Sequence, residues 1–290
     1  MFISINFELM KRVLSAALLA IFCMASFGQE HVPELEDYQN FMKSKTLVLL
    51  EKNPMSDFNL MIKKIMANTW TITPYEFIDD AEFEAFRNNP NYSFLMPTIA
   101  SFEKDKTKAR YKFLSLLMAK RGKRVGNMPD LCSLPLGYVQ VEDDSYSYKL
   151  GAFLRFMQNH VKLMLDDPSL ISANPFNYYN RAMHGDLKNK ILYFTKNDLA
   201  KDIDTESEIR DIYPYNFKIV TRDEVAKAIE DRREDVVFLH KVGPEKTRIR
   251  ARVYKMFVGA GDPHLYYFDY KMVKNAQDDA LQKKDLKKIK

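Results

Sequence analysis

Apolar positions along this chain follow two periods, and their order is the same in each half. Short continuous apolar runs at 47–50 and 191–194 predict buried strands. After the first run, Phe58, Met61, Ile62, Ile65 and Met66 recur at helical spacing, which predicts a helix with one apolar face. A weaker version follows the second run at Ile203, Ile209 and Ile212. Second strands are predicted near 71–77 and 217–220. Asp79 and Thr221 then stand where helices should begin, with Glu82 and Glu224 three residues on, the spacing of a capping box. Short helices through Phe83 and Phe86, and through Val225 and Ile229, lead to third strands at 92–98 and 236–241. Two more extended runs close each half: 110–118 with 137–141, and 249–258 with 265–271. The turn-forming stretch 259–263 separates the latter pair. A long amphipathic helix at about 145–165 ends the first half, and a basic helix after Asn275 ends the second.

Four local matches tie the halves together. Residues 46–53 resemble 190–197, 74–77 resemble 214–217, 92–95 resemble 236–239, and 109–114 resemble 251–256 with one insertion. Their starts lie 144, 140, 144 and 142 residues apart. Near-constant spacing over separate matches is the mark of an internal repeat. The fold class expected is therefore α/β with an α+β edge: a tandem duplication of a β-α-β-α-β-β-β-α unit, each a mixed sheet with helices packed on it. Strand–helix–strand order implies parallel pairing with right-handed crossovers. The terminal hairpin adds antiparallel strands at one edge, giving the order 2-1-3 followed by 4-5. The expected map is a signal segment at 1–28, a lead-in at 29–44, a first repeat at 45–165, a linker at 166–189 rich in Pro, Asn and Tyr, and a second repeat at 190–290.

The start of the chain reads as an export signal. Lys11 and Arg12 precede the apolar run 13–25, and Ser26-Phe27-Gly28 supplies the small-x-small cleavage pattern. That run is shorter than the roughly 20 helical residues needed to span a bilayer. Cleavage is expected after Gly28, with Met10 an alternative initiator, and the destination is periplasmic or secreted. Cys23 has Phe22 before it where a lipoprotein needs a small residue, so a lipid anchor is not expected. Cleavage leaves Cys132 alone, without an intramolecular disulfide. No later segment reads as a transmembrane helix.

The composition, 46% hydrophobic and 29% charged, is that of a globular protein with enough apolar residues for a sizeable core. The net charge of +5 is concentrated at the C-terminus, where seven lysines face three aspartates over 271–290. The remainder is nearly balanced, so a nucleic-acid-binding surface is not indicated. The basic tail reads as a solvated helix end, or as a patch for an anionic partner. The segments Trp70-Thr-Ile-Thr-Pro-Tyr-Glu-Phe-Ile78 and Asn91-Tyr-Ser-Phe-Leu95, with the signal ending Ser-Phe-Gly-Gln-Glu30, resemble uncharacterised exported proteins of the Bacteroidota. That resemblance implies a Gram-negative periplasm and brings no activity. The element order is also similar to small periplasmic α/β domains of the Tol-associated and curli-secretion lipoprotein type, which act by contacting other proteins.

Catalytic and cofactor motifs do not stand out. The P-loop, the dinucleotide fingerprint and the G-x-S-x-G elbow are missing from the sequence, and the histidines lack metal-ligand spacing. No catalytic residue, metal ligand or cofactor is assigned. His184-Gly185-Asp186 is the nearest approach to an acid–base pair, and it reads as a surface turn in the linker. Asp79-Asp80, Asp143-Asp144, Asp166-Asp167 and Asp278-Asp279 point their carboxylates apart, as adjacent residues do, and read as helix caps. Trp70 and the aromatic stretch 176–179 read as packing. One coincidence has a chemical meaning. Lys52-Asn53 and Lys196-Asn197 both follow the first strand of their repeat, at the crevice where ligands bind doubly wound sheets. A lysine there could meet an anion. A strand-to-loop turn would favour the same residues. The leading functional expectation is a non-enzymatic periplasmic or cell-envelope protein-interaction module. Exposed hairpin edge strands would receive another envelope protein, and no oligomeric state is specified. The alternative is a binding module for a small anionic ligand at the strand-one crevices. An envelope hydrolase with an unrecognised site is the third reading.

Overall fold

The strand order is the expected one in both halves, 2-1-3-4-5 counted along each half. The structure is a computed structural model and describes residues 32–102, 109–172, 174–245, 250–274 and 278–290. The predicted signal segment with its cleavage site at Gly28, and the start of the predicted C-terminal helix at 275–277, lie outside the described residues. The first sheet joins β1 (Lys45–Leu49), β2 (Tyr75–Ile78), β3 (Tyr92–Ser101), β4 (Arg110–Met118) and β5 (Asp130–Tyr138). The second joins β6 (Ile191–Thr195), β7 (Phe217–Val220), β8 (Val236–Val242), β9 (Arg252–Gly259) and β10 (Leu265–Met272). In each, the first three strands pair in parallel and the last two antiparallel. This is an α/β fold with two similar sheet units.

Local chemistry sets the helices. Helix α1 is Leu35–Phe41. Ser56 caps α2 (Asp57–Thr69) by accepting from the Asn59 amide. Both predicted capping boxes form: Asp79 with Glu82 starts α3 (Asp80–Phe86), and Thr221 with Glu224 starts α7 (Arg222–Glu230). The long helix is α4 (Leu150–Asp166). In the connection, Phe176–Ala182 forms α5. The crossover before β7 holds only the short α6 (Glu206–Arg210).

Alternation along the strands divides the core into layers. Tyr193, Val236 and Phe238 face one cluster, while Leu192, Phe194, Val237 and Leu239 face another. The first cluster also contains Val48, Leu95 and Leu116 of the first sheet, and α4 lies at its centre. Residues Leu150 to Leu154 are buried without interruption, as are Phe156, Met157, Gln158, His160, Val161 and Met164. A helix buried all round has protein on both sides. Thus α4 is shared by the two sheets, and Val32–Lys290 forms one compact unit. Gln158 is satisfied inside it, donating to the Thr69 carbonyl at 2.8 Å and accepting from the Thr71 amide at 2.8 Å. The Thr71 and Ile72 amides are thereby spent on Gln158, and β2 starts at Tyr75, later than predicted.

Three expectations need correction. The strand predicted at 137–141 runs from Asp130 to Tyr138. Pro135 disguised it, but a proline is tolerated on an edge strand. The register shifts where Phe113 faces Pro135 and Lys112 faces Gly137. The hairpin edges are also only partly open, with Tyr270 of β10 exposed. Strand β5 is buried over most of its length. The Tyr38 hydroxyl donates to its Leu131 carbonyl and the His240 ring to its Pro135 carbonyl. On β10, the Asn180 amide of α5 pairs with both main-chain groups of Phe268, at 2.8 and 2.7 Å. Finally, the basic tail is not a solvated helix. Its described part holds the one-turn α8 (Lys283–Leu286), and Leu281, Leu286 and Ile289 are buried against the second sheet. Leu281 bridges Leu199. Asp279 pairs with Lys241 at 3.2 Å, and Asp285 pairs with Lys255.

No helix among the described residues is long and apolar enough to cross a membrane.

Candidate functional site at the crevice of the second sheet

A cavity of about 290 Å³ opens at the carboxyl ends of β6 and β8. This is the topological switch point, because the connection from β6 leaves to one side and the strand after α7 returns on the other. Asn197 and Asp198 line it beyond β6, Lys241 lines it from β8, and Arg222 lines it from the first turn of α7. The opposite wall comes from the first repeat, from the segment between β5 and α4, with Tyr148 and Lys149. The second repeat's crevice is therefore completed by the first repeat.

Most of its charges have partners. Lys241, buried in β8, faces Glu245 at 2.5 Å, Asp279 at 3.2 Å and Asp198 at 4.0 Å. Burial alone would lower its pKa, but Asp198, Glu245 and Asp279 together raise it. Asp198 also accepts from the Thr195 hydroxyl at 2.7 Å. Arg222 reaches Asp144 at 3.2 Å across the two repeats. Asp143 beside it turns the other way, to Lys112 at 2.5 Å. The adjacent pair thus diverges as expected, but each carboxylate holds a cation rather than capping a helix.

Lys149 is different. It is 3% exposed and makes no ion pair with a described carboxylate. Its ammonium lies 3.3 Å from Nδ1 of His240. The other ring nitrogen, Nε2, is 2.9 Å from the Pro135 carbonyl, an acceptor only. Nε2 must therefore carry the ring proton and Nδ1 must accept from Lys149. Burial, and then the Lys149 charge, hold His240 well below the ordinary histidine range, so the ring is neutral. Lys149 also stands at the N-terminus of α4, the positive end of the helix, where a cation is disfavoured. Burial pulls its pKa down to about 8, with Asp198 opposing and Arg222 and Lys241 reinforcing the fall.

The four residues singled out in the sequence fall differently. Lys196 and Asn197 are exposed in a short turn after β6, and Asn197 lines the cavity. Lys52 and Asn53 are exposed after β1. Lys52 lines a separate crevice of about 420 Å³ and reaches Asp80 at 3.6 Å. There the buried Asn59 side chain bonds Glu51 and Asn53 main-chain groups at 2.8 to 2.9 Å, so the loop end is tied by the protein's own amide. Asn53 accepts from the Met55 amide, the turn geometry that asparagine favours. The pairs are not equivalent in the sheets either. Lys45 faces Tyr92 while Ile191 faces Val236, so the first-strand alignment slides by two residues, which preserves the face of the pleat but not the Lys-Asn match.

Sequence reasoning missed Lys149, Arg222 and Asp198. The available signals were a lysine directly before an apolar helical stripe, and a His-Lys pair ending an otherwise apolar central strand, His240-Lys241. Other aromatic and titratable candidates are structural. Trp70 is buried, donates to Thr73 and packs edge-on against Phe41. Phe176 stacks on Phe268. His184 meets the Tyr267 ring and makes no hydrogen bond to Asp186. Among the described residues no His, Cys, Asp and Glu cluster has metal-binding geometry. The chain matches no family model, no curated protein and no solved structure.

Proposed function

We propose that this protein binds a small, singly charged anionic ligand in the crevice of its second sheet, with Lys149 as the seat of the charge. The observation that carries this reading is a buried lysine that lines a cavity at a switch point and makes no ion pair with a described carboxylate. Leaving an ammonium buried without a counter-charge is costly. A ligand carboxylate or monoanionic phosphate would supply the missing charge, and Arg222 and Asn197 can reach its second oxygen from the rim. The cavity also carries Glu142, Asp144, Asp198 and Glu245. Asp144, Asp198 and Glu245 are paired with Arg222 and Lys241, and the four carboxylates together disfavour a polyanion. The protein-interaction reading relied on open hairpin edges, and the burial of β5 together with the Asn180 contact on β10 gives the crevice the better support. An exported, periplasmic setting, read from residues 11–28, accompanies this proposal.

Thermal unfolding in the presence of acetate, lactate, other small monocarboxylates and inorganic phosphate tests the idea. At least one should stabilise the protein saturably. Affinity should fall about tenfold or more in Lys149→Met, a loss of about 1.4 kcal/mol, and should be unchanged in Lys52→Ala. Methionine keeps most of the lysine stem and removes an unpaired buried charge, which offsets the loss of the donor to His240 Nδ1, so the variant itself should still fold. Equal ligand response in Lys149→Met, or no response from the panel, would reject the proposal.

A further inference from the structure

We infer that Lys149 is a reactive amine that condenses with a small aldehyde or ketone carrying a carboxylate, forming an imine within the crevice. This rests on the reading above that the crevice binds a small monocarboxylate, and adds a covalent step in which Arg222 takes the carboxylate and Lys149 acts as the free amine. An amine meets three requirements for such chemistry here. Lys149 lines a cavity of about 290 Å³, large enough for a small oxo acid. It is held in place, because His240 accepts one N–H at Nδ1 while its own Nε2–H is fixed on the Pro135 carbonyl. It is not locked into an ion pair, unlike Lys241 in the same cavity, which Asp279 and Glu245 hold as an ammonium.

The groups around it agree. Neutral His240 faces it from β8, Tyr148 lies beside it with the ring centre 5.1 Å away, and Arg222 and Lys241 repel a proton from α7 and β8. Asp198 and Glu245 work in the opposite direction, and burial outweighs them, leaving a pKa of about 8. A useful fraction of free amine then exists near neutral pH, as in lysines that form Schiff bases. In the step itself the amine lone pair forms the C–N bond as the carbonyl electron pair moves to oxygen. The nitrogen gives up both its protons, and the oxygen leaves with them as water. Arg222, half-exposed and bound among the described residues to the exposed Asp144, lines the same cavity and can exchange that partner for the substrate carboxylate.

Glyoxylate followed by borohydride reports on this directly in the full-length, unmutated chain. Borohydride supplies the hydride that reduces the imine to a stable carboxymethyl-lysine, and peptide mass spectrometry locates it. Lys149 should be modified at least about tenfold faster than exposed Lys52 or Lys196 at neutral pH, since burial lowers its own pKa to about 8. The Lys149 advantage should shrink at pH well above that value. Glyoxylate should outrun the uncharged glycolaldehyde at Lys149 but not at Lys52. If Lys149 is modified no faster than the exposed lysines while a monocarboxylate still stabilises the protein, the reactive amine is overturned and the binding reading stands. If neither modification nor stabilisation occurs, both fall. Equal rates for the two aldehydes at Lys149 would overturn the anionic substrate class.

Discussion

Replacing Asp285 with alanine is expected to destabilise the protein by about 3–5 kcal/mol, the range for breaking a buried ion pair from one side. Lys255 lies in β9 and Asp285 in α8, and their side chains are only 3% and 5% exposed. Lys271 approaches the same carboxylate at 3.4 Å. Burial acts to raise the Asp285 pKa, but the charge and hydrogen bond of Lys255 overcome it and hold the carboxyl below its ordinary range. The same carboxylate accepts from the Gln282 amide and so begins α8. Alanine would leave Lys255 inside the sheet without a counter-charge and loosen the segment that buries Leu281, Leu286 and Ile289. Urea unfolding measures the loss. The double replacement Lys255→Met with Asp285→Leu should recover most of it, because an apolar pair of similar volume removes both charges together. A loss below about 1 kcal/mol for Asp285→Ala would mean that the C-terminal segment is not docked as described.

The second large effect is loss of stability in mild acid. His160 is buried in α4 with its Nδ1 2.8 Å from the Tyr179 hydroxyl. Burial drives its pKa from the usual 6.5 down to about 4. The unfolded chain therefore binds a proton between pH 6.5 and about 4 that the native protein refuses. The stability that the neutral ring contributes is complete above pH 6.5 and is lost progressively as the pH falls towards 4, reaching roughly 3 kcal/mol for this residue. His240, also buried and held well below its ordinary range, adds to the loss in the same direction. The urea midpoint should thus fall steeply from neutral pH to pH 4.5. The double variant His160→Phe with Tyr179→Phe, which removes the ring and the hydroxyl it satisfies, should flatten that limb. Ring signals of His160 titrating near 6.5 in the folded protein would contradict the assignment.

What was legible in the sequence is what depends on neighbours along the chain. Short continuous apolar runs, the helical stripe from Phe58 to Met66 and the two capping boxes are local patterns, and the strand–helix succession they define led to both sheet orders. Pro135 hid β5 because a proline breaks a central strand but not an edge one, and edge position is not a local property. The tail was misread for a related reason. Its lysines signal solvent, while the residues that bury Asp279 and Asp285, Lys241 and Lys255, lie some thirty or more residues away. The crevice was anticipated in place but not in composition. Asn197 lines it, yet Lys149 lines it from the first repeat, bonded to His240 of β8, and Lys241 lines it from the end of β8. Only folding both repeats around α4 brings these together.

The binding account turns on whether Lys149 is an unpaired, buried ammonium that receives an anion. Labelling lysines with carbon-13 at Cε and following Lys149 by NMR over pH, with and without a saturating monocarboxylate, measures this directly. The account predicts titration near pH 8 in the free protein and a clear upward shift when the carboxylate is bound. Titration in the ordinary lysine range, unmoved by any monocarboxylate that the protein binds, would contradict it.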